Sequence, residues 1–538
     1  MSSTDPAPRA PVRPAPLEWL CLLAGAFFVL HYAWLLDDAF VYFRYADNLL
    51  WLGHGLVYNR GEHVEGFTSP LWMLLLIALR WTTLDYWLLV RLAGLVSFAW
   101  FWWTLVALNR DWSPRSARGA RIVNAPLLAL TCNYAVACYF TSGVEAPLAL
   151  VAAVAYARFV ARPDAPVARI IVALSPLVRP ELALPFALVV VWSWLVARRA
   201  FWWLLAIGGG VIAAWLTFRV IYYADLLPNT FYLKHLADAD QGWRYLADTA
   251  RPYFLYPLLG AFGVLALIAK VTATRRGVGS VALGRRALLL TIAAAVAGYV
   301  IYIGGDPRHF RYLAFPFCLA VAAGAGLLEH VLNGVESRVR PAFVIALGLA
   351  FGFLVTSRYP QQLGAHPIGV TVPHRRVHKI NDAKLHRRHP ALMASPWQLE
   401  PAFEQRDLYA AFLAERPRRR YRGVMAAHRC VQAFKSFDRR VVHSLGLTDA
   451  VLARTEMKVD RPGHKLGLIE LGRALARLQR QVRPGRGFYD RAMRRKVAPR
   501  WIVDNYDTIQ VIQQKVHNDH GPLENLKLAF TFPPRVRP

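Results

Sequence analysis

Of the 538 residues, 56% are hydrophobic and only 18% charged, with 18 Trp, 28 Phe and 22 Tyr, and the mean hydropathy is positive. That composition excludes an ordinary soluble enzyme and marks a membrane protein. Lys and Arg total 64 against 34 Asp and Glu, a formal charge of +30, but much of the excess sits in short loops at 109–121, 270–286 and 336–340. Arginines between apolar runs are expected on the cytoplasmic side of a membrane, so no nucleic-acid partner is inferred.

In chain order, residues 1–16 are Pro-rich and read as a disordered cytoplasmic N-terminus. The first apolar run, 17–36, has no small-residue cleavage site and is expected to be retained as a span. Further long runs follow at 86–108, 122–140, 201–223, 253–272, 287–304, 310–333 and 341–357, each near the about 20 residues a helix needs to cross hydrocarbon. Shorter or broken ones lie at 68–84, 146–161 and 169–197, giving ten or eleven expected spans. These must be helices, because lipid offers the backbone no hydrogen-bond partner.

With 270–286 and 336–340 cytoplasmic, the first loop (37–67), the segments 224–252 and 305–309, and everything after 357 fall outside. A full crossing at 68–84 would also put the arginines of 109–121 outside, so that segment is either a re-entrant hairpin or a break in the charge rule. Residues 358–538 read as a soluble extracytoplasmic α/β domain, with a helical pattern at 465–482 and strand-like pieces "RRVVHSL" and "RWIVDNY". Only Cys430 of the five cysteines lies there, so this domain is held by a core rather than by disulfides. His374 and His378 in "HRRVHKINDAKLHRRH" have zinc-like spacing but no third ligand follows, and a basic surface facing anionic lipid or polysaccharide fits better.

The chemistry concentrates in "LDDAFVYFRYADNLLWLGHGLVYNRGEHVEGFTSPLW" (36–72), where Asp37 and Asp38 follow an apolar run directly. One aspartate could cap the interfacial helix expected next, but capping does not account for two, with Arg44 two turns on. Other polar residues recur at outer span ends: Glu65, Glu145 in "TSGVEAPL", Arg179 and Glu181 around a proline, Asn229, Tyr232 and Lys234 in "ADLLPNTFYLK", and Asp306, His309 and Arg311 in "GGDPRHFRY". Carboxylates and cations from separate segments at one membrane face suit a charged, lipid-linked substrate. A sugar on a polyprenyl phosphate has a good leaving group, so the protein must hold the phosphate with cations and deprotonate an acceptor hydroxyl with a carboxylate. Asp37 or Asp38 is the candidate base, and its neighbour could hold a sugar hydroxyl or a divalent metal. Arg44, Lys234 and Arg311 are candidates for the phosphate. Glu145, Glu181, Asn229 and Asp306 are candidates for the sugar pocket, with Glu65, Arg179, Tyr232 and His309 completing the lining.

The ordered motifs "LDDAFVYFRYADNL", "GHGLVYN", "VEGFTSPLW", "TSGVEAPL", "RPE", "LLPNTFYLK", "GGD…FR", "LGLTDAVLA" and "RPGHK" resemble polytopic GT-C glycosyltransferases. The similarity is to mycobacterial terminal β-1,2-arabinofuranosyltransferases and Gram-negative relatives that include pilin arabinosyltransferases. It implies a GT-C membrane module over 17–357 followed by the 358–538 domain, in the cytoplasmic membrane with its site outside. It implies an inverting transferase that moves a sugar, arabinofuranose, from a donor such as decaprenyl-phosphoryl arabinose to an extracytoplasmic glycan or pilin-like hydroxyl. Asp37 and Asp38 match the family's acidic pair. Departures are "TSGVEA" for "TSGLET", "RPEL" for "RPEG", His443 where an Asp is usual, and "PRHFR" in place of a tryptophan-containing turn. The rival reading is a transporter or flippase for lipid-linked sugars, although no second copy of the aspartate loop marks an inverted repeat.

Overall fold

In the computed structural model of the protein, the described residues are 14–31, 33, 35–82, 84–112, 124–131, 133–234, 239–250, 280–306, 310–332, 424–427, 430, 440–443, 446–457, 468–517 and 521–538. The apolar runs expected at 253–272 and 341–357 and the histidine-rich stretch lie outside them. The described chain is mostly helical. Its N-terminal part comprises α1 (Pro16–His31), α2 (Ala39–Leu50), α3 (Pro70–Arg80), α4 (Tyr86–Trp112), α5 (Ala125–Thr131), α6 (Tyr134–Tyr139) and α7 (Ala146–Ala161), then α8 (Pro166–Leu174), α9 (Ala183–Val196), α10 (Arg198–Tyr223), α11 (Asn229–Lys234), α12 (Ala239–Ala250), α13 (Ser280–Tyr302) and α14 (Ala314–Leu332).

Among the described residues, three helices are long and apolar enough to cross a membrane: α4, α10 and, within α13, Gly284–Tyr302. Other apolar runs are shaped by local breakers. The run at 122–140, expected as one span, is split into α5 and α6 because the Asn133 side chain caps α6, accepting from Val136 N at 3.1 Å. The run at 169–197 opens at Arg179, whose backbone is extended (φ −155°, ψ 140°) before Pro180, as the proline ring requires of its predecessor. Helix α3 starts cleanly, with Pro70 in its first turn and Ser69 Oγ accepting from Trp72 N at 3.3 Å. Its 11 residues rise only about 16 Å, half the hydrocarbon thickness, so 68–84 does not cross as a single straight helix.

Helix α7 is the hub. Its alanine-rich sequence is buried at all but Leu148, Arg158 and Ala161, and the small side chains let α4, α8 and α14 pack closely around it. Helix α2, expected to lie in the membrane interface with one wet face, is instead buried at every position from Ala39 to Asn48. The reason is that the rest of the first loop folds back over it. Asn48 Nδ2 donates to Val57 O at 2.7 Å and Tyr58 O at 3.0 Å, and the Phe43 ring stacks on Tyr86 of α4 at 4.0 Å.

The C-terminal part contains two parallel strands, β1 (Val424–Ala427) and β2 (Arg440–His443), paired Val424 to Arg440 through Ala427 to His443. They are followed by α15 (Ala450–Ala453), α16 (Leu468–Gln481), α17 (Phe488–Arg494), α18 (Arg500–Asp504), α19 (Tyr506–Val516) and α20 (Pro522–Ala529). The amphipathic pattern at 465–482 is α16, which packs on both strands. "RRVVHSL" contains β2, but "RWIVDNY", expected as a strand, is helical. Pro499 sets the entry to α18, and Ile502, Ile509, Ile512 and Val516 then enter one core at helical intervals.

That core also takes in Val64 of the first loop. Asn59 substitutes for a strand neighbour of β2, its Nδ2 donating to Val441 O and its Oδ1 accepting from Val441 N, both at 2.9 Å. Gly61, at φ 73°, supplies the left-handed turn that brings Glu62 against Arg440. His63 N donates to Val516 O at 2.8 Å.

Candidate active site

The aspartate pair sits in the turn between α1 and α2. Asp38 occupies the cap position of α2, yet its side chain makes no capping bond. It is used elsewhere: Arg311 Nη1 donates to Asp38 Oδ2 at 2.7 Å and Arg311 Nη2 to Glu145 Oε1 at 3.1 Å, while Asp306 Oδ2 stands 3.8 Å from Nη1. Arg179 flanks the group, 3.8 Å from Glu145 Oε1, 2.6 Å from Glu181 Oε1 and 4.1 Å over the Tyr312 ring. Six sequence-predicted site residues, Asp38, Glu145, Arg179, Glu181, Asp306 and Arg311, are therefore gathered from four segments.

The turn carrying Glu145 is fixed by its neighbours. Leu36 N donates to Ser142 O at 2.8 Å, and Trp72 Nε1 to Gly143 O at 3.0 Å. Gly143 has φ 78°, and a β-carbon there would come 2.8 Å from Ala39 Cβ. Burial works against ionising Glu145, but Arg311 and Arg179 outweigh it and hold the carboxyl below its ordinary range.

Asp37 faces the C-terminal part: its Oδ2 accepts from Cys430 N at 2.8 Å, and Cys430 Sγ lies 3.2 Å from His443 Nε2. Asp37 is buried, whereas the Asp38 side chain is 32% exposed. Of the pair, Asp38 is the more exposed.

The remaining expected residues go elsewhere. Arg44 belongs to the first loop's fold-back, its Nε donating to Tyr58 O at 2.8 Å and its guanidinium lying over the Tyr58 ring. Glu65, Asn229 and Tyr232 form a second polar group. Glu65 pairs with Arg219 of α10, Tyr232 donates to Asp225 Oδ1 at 2.7 Å, and Asn229 Nδ2 donates to Gly446 O and Leu447 O, both at 2.9 Å. Asp225 in turn pairs with Arg454. His309 and the Lys234 side chain lie outside the described residues.

Sequence reasoning missed Cys430, Arg219, Arg454 and Lys515. Arg219 was readable, because a charge near the end of a long apolar helix is a standing signal of function or pairing. The other three act through contacts between distant segments and carry no local pattern.

Among the described residues, the Arg311 cluster brings two guanidinium groups, Arg311 and Arg179, together with four carboxylates, Asp38, Glu145, Glu181 and Asp306. Among the described residues no group of three or more His, Cys, Asp or Glu side chains is placed to hold a metal ion.

Over about half its length, the chain is similar to two known transferases. A terminal β-(1→2)-arabinofuranosyltransferase of Mycobacterium tuberculosis is 31% identical over 336 residues, covering 54% of this chain and 52% of the relative. The protein of the same name from Corynebacterium glutamicum is 31% identical over 353 residues, covering 53% of this chain and 46% of the relative. The chain thus spans about half the length of the curated relatives it matches. No family model matches the sequence, and no solved structure matches it.

Proposed function

We propose that the protein is a membrane glycosyltransferase that moves a sugar, arabinofuranose, from a polyprenyl-phosphate donor to a hydroxyl of an extracytoplasmic glycan or protein. In this reading the site and the C-terminal domain face outward from the cytoplasmic membrane. The observation that carries it is the Arg311-centred cluster beside a partly exposed Asp38, and the similarity to two proteins named as transferases supports it. The carrier reading gains nothing from either.

The reaction follows from the charges. An acceptor hydroxyl oxygen attacks the anomeric carbon of the donor, the bond from that carbon to the phosphate oxygen breaks, and polyprenyl phosphate leaves with the electron pair. Asp38 takes the hydroxyl proton. The leaving group needs no protonation, and the carboxylates Glu145, Asp306 and Glu181 favour the positive charge that develops on the sugar ring. Among the described residues, Arg311 and Arg179 are cations within reach of the phosphate. An incoming phosphate competes with Asp38 for Arg311. Asp37, held by the Cys430 amide, positions the turn. Drawn as one displacement, the step inverts the anomeric centre.

The test is to incubate the purified protein in detergent with synthetic polyprenyl-phosphoryl pentoses and an oligosaccharide acceptor. Release of polyprenyl phosphate with formation of a new glycoside, greatest for the arabinofuranosyl donor and of opposite anomeric configuration, is expected. Donor movement across vesicles without glycoside formation would overturn the reading.

A further inference from the structure

A second feature lies apart from the Arg311 cluster. A cavity of about 20 Å³ opens where the first loop, the segment after α10 and the C-terminal part meet, and its lining includes His63, Glu65, Asp225, Asn229, Arg454 and Lys515. Space of that size admits one water-sized group. Lys515 is 3% exposed and its Nζ makes no hydrogen bond, with the Asp225 carboxylate 3.6 Å away. Arg454, 5% exposed, uses Nη2 on Asp225 and Nη1 on Asn229, while its Nε is without a hydrogen-bond partner.

The charges do not balance. Glu65 is taken up by Arg219, which donates to both of its oxygens. Among the described residues lining the cavity, two cations, Lys515 and Arg454, then remain against the single carboxylate of Asp225, which already accepts from Tyr232 and Arg454. Burial, chiefly, and the neighbouring Arg454 lower the Lys515 pKa, with Asp225 opposing them. A buried ammonium without full compensation is costly, and a small anion supplies what is missing.

We propose that this cavity is a binding site for a halide-sized monovalent anion, held by Lys515 with Arg454 beside it, which fastens the C-terminal part to the first loop. The proposal does not depend on the transferase reading.

The experiment uses the full-length protein in detergent. Thermal unfolding is followed in sodium chloride, sodium bromide and sodium gluconate at equal ionic strength. Chloride and bromide should raise the midpoint by a few degrees with a saturable concentration dependence, as a ligand of the folded state does, while gluconate should not. Lys515→Met should abolish the halide response. Because that variant could also fail to fold, crystals of the unaltered protein grown in bromide provide a second readout, an anomalous peak beside Lys515 Nζ. Coincident unfolding curves in chloride and gluconate, a halide response that survives in Lys515→Met, or a cavity holding only water in bromide crystals would each overturn the proposal.

Discussion

Arg311 Nη1 donates to Asp38 Oδ2 at 2.7 Å across 273 residues of sequence. The same guanidinium donates to Glu145, so one side chain neutralises two carboxylates from different segments. Arg311→Ala leaves Glu145 buried at 1% side-chain exposure beside Asp38 and Asp306. Loss of one partner from a buried pair costs about 3–5 kcal/mol, so a clear drop in unfolding midpoint and loss of transfer are expected. Arg311→Lys keeps the charge but not the two-pronged geometry, and should fall between Ala and wild type in both measurements.

The Cys430 amide on Asp37 gives a backbone test. Cys430→Pro removes the N–H and with it the hydrogen bond to a carboxylate. A charge-assisted bond of about 1.5–3 kcal/mol corresponds to at least about a tenfold loss of transfer rate. Cys430→Ala retains the amide and should lose less. Steady-state turnover of the two variants makes the comparison.

Gly143→Ala probes the turn that carries Glu145. The backbone there is left-handed, and the added methyl meets Ala39 Cβ at 2.8 Å and Leu35 Cδ2 at 2.9 Å. A cost of at least about 1 kcal/mol is expected, read as a lowered midpoint, together with reduced turnover because Glu145 shifts away from Arg311.

Acid should weaken the same cluster. The Glu145 pKa is lower folded than unfolded, so the unfolded chain binds more protons near that range and stability rises with pH there. The contribution is complete above the unfolded value, about 4.3, and is lost as pH falls through the lower folded value. Unfolding midpoints measured from neutral pH down to strong acid should fall below about pH 4 in the wild type. Glu145→Gln should show a shallower fall.

The residues of the Arg311 cluster were legible because each stands out locally. Asp38 follows an apolar run, Glu145 interrupts two of them, Pro180 forces a break beside Arg179 and Glu181, and "GGD" turns the chain before Arg311. Arg44 stood out as a cation near the aspartates that looks available for phosphate, whereas the first loop folds back so that the Tyr58 carbonyl accepts from its guanidinium and the Tyr58 ring lies under it. The short pattern "RWIVDNY" alternates like a strand, and only the tertiary core that collects Ile502 with Ile509 and Ile512 decides for helix. Long-range docking was the least legible. Asn59 pairing with Val441, Cys430 with Asp37, and Lys515 with Asp225 join segments hundreds of residues apart by single side chains, which leave no periodicity to read.

In the proposed mechanism Asp38 removes the acceptor proton while Arg311 and its neighbours hold the donor. The direct measurement is donor affinity and transfer rate side by side for wild type and Asp38→Asn, with a synthetic polyprenyl-phosphoryl arabinofuranose. Donor binding within a few-fold of wild type and a transfer rate reduced at least about a hundredfold is the predicted result. Transfer at the wild-type rate in Asp38→Asn would contradict it.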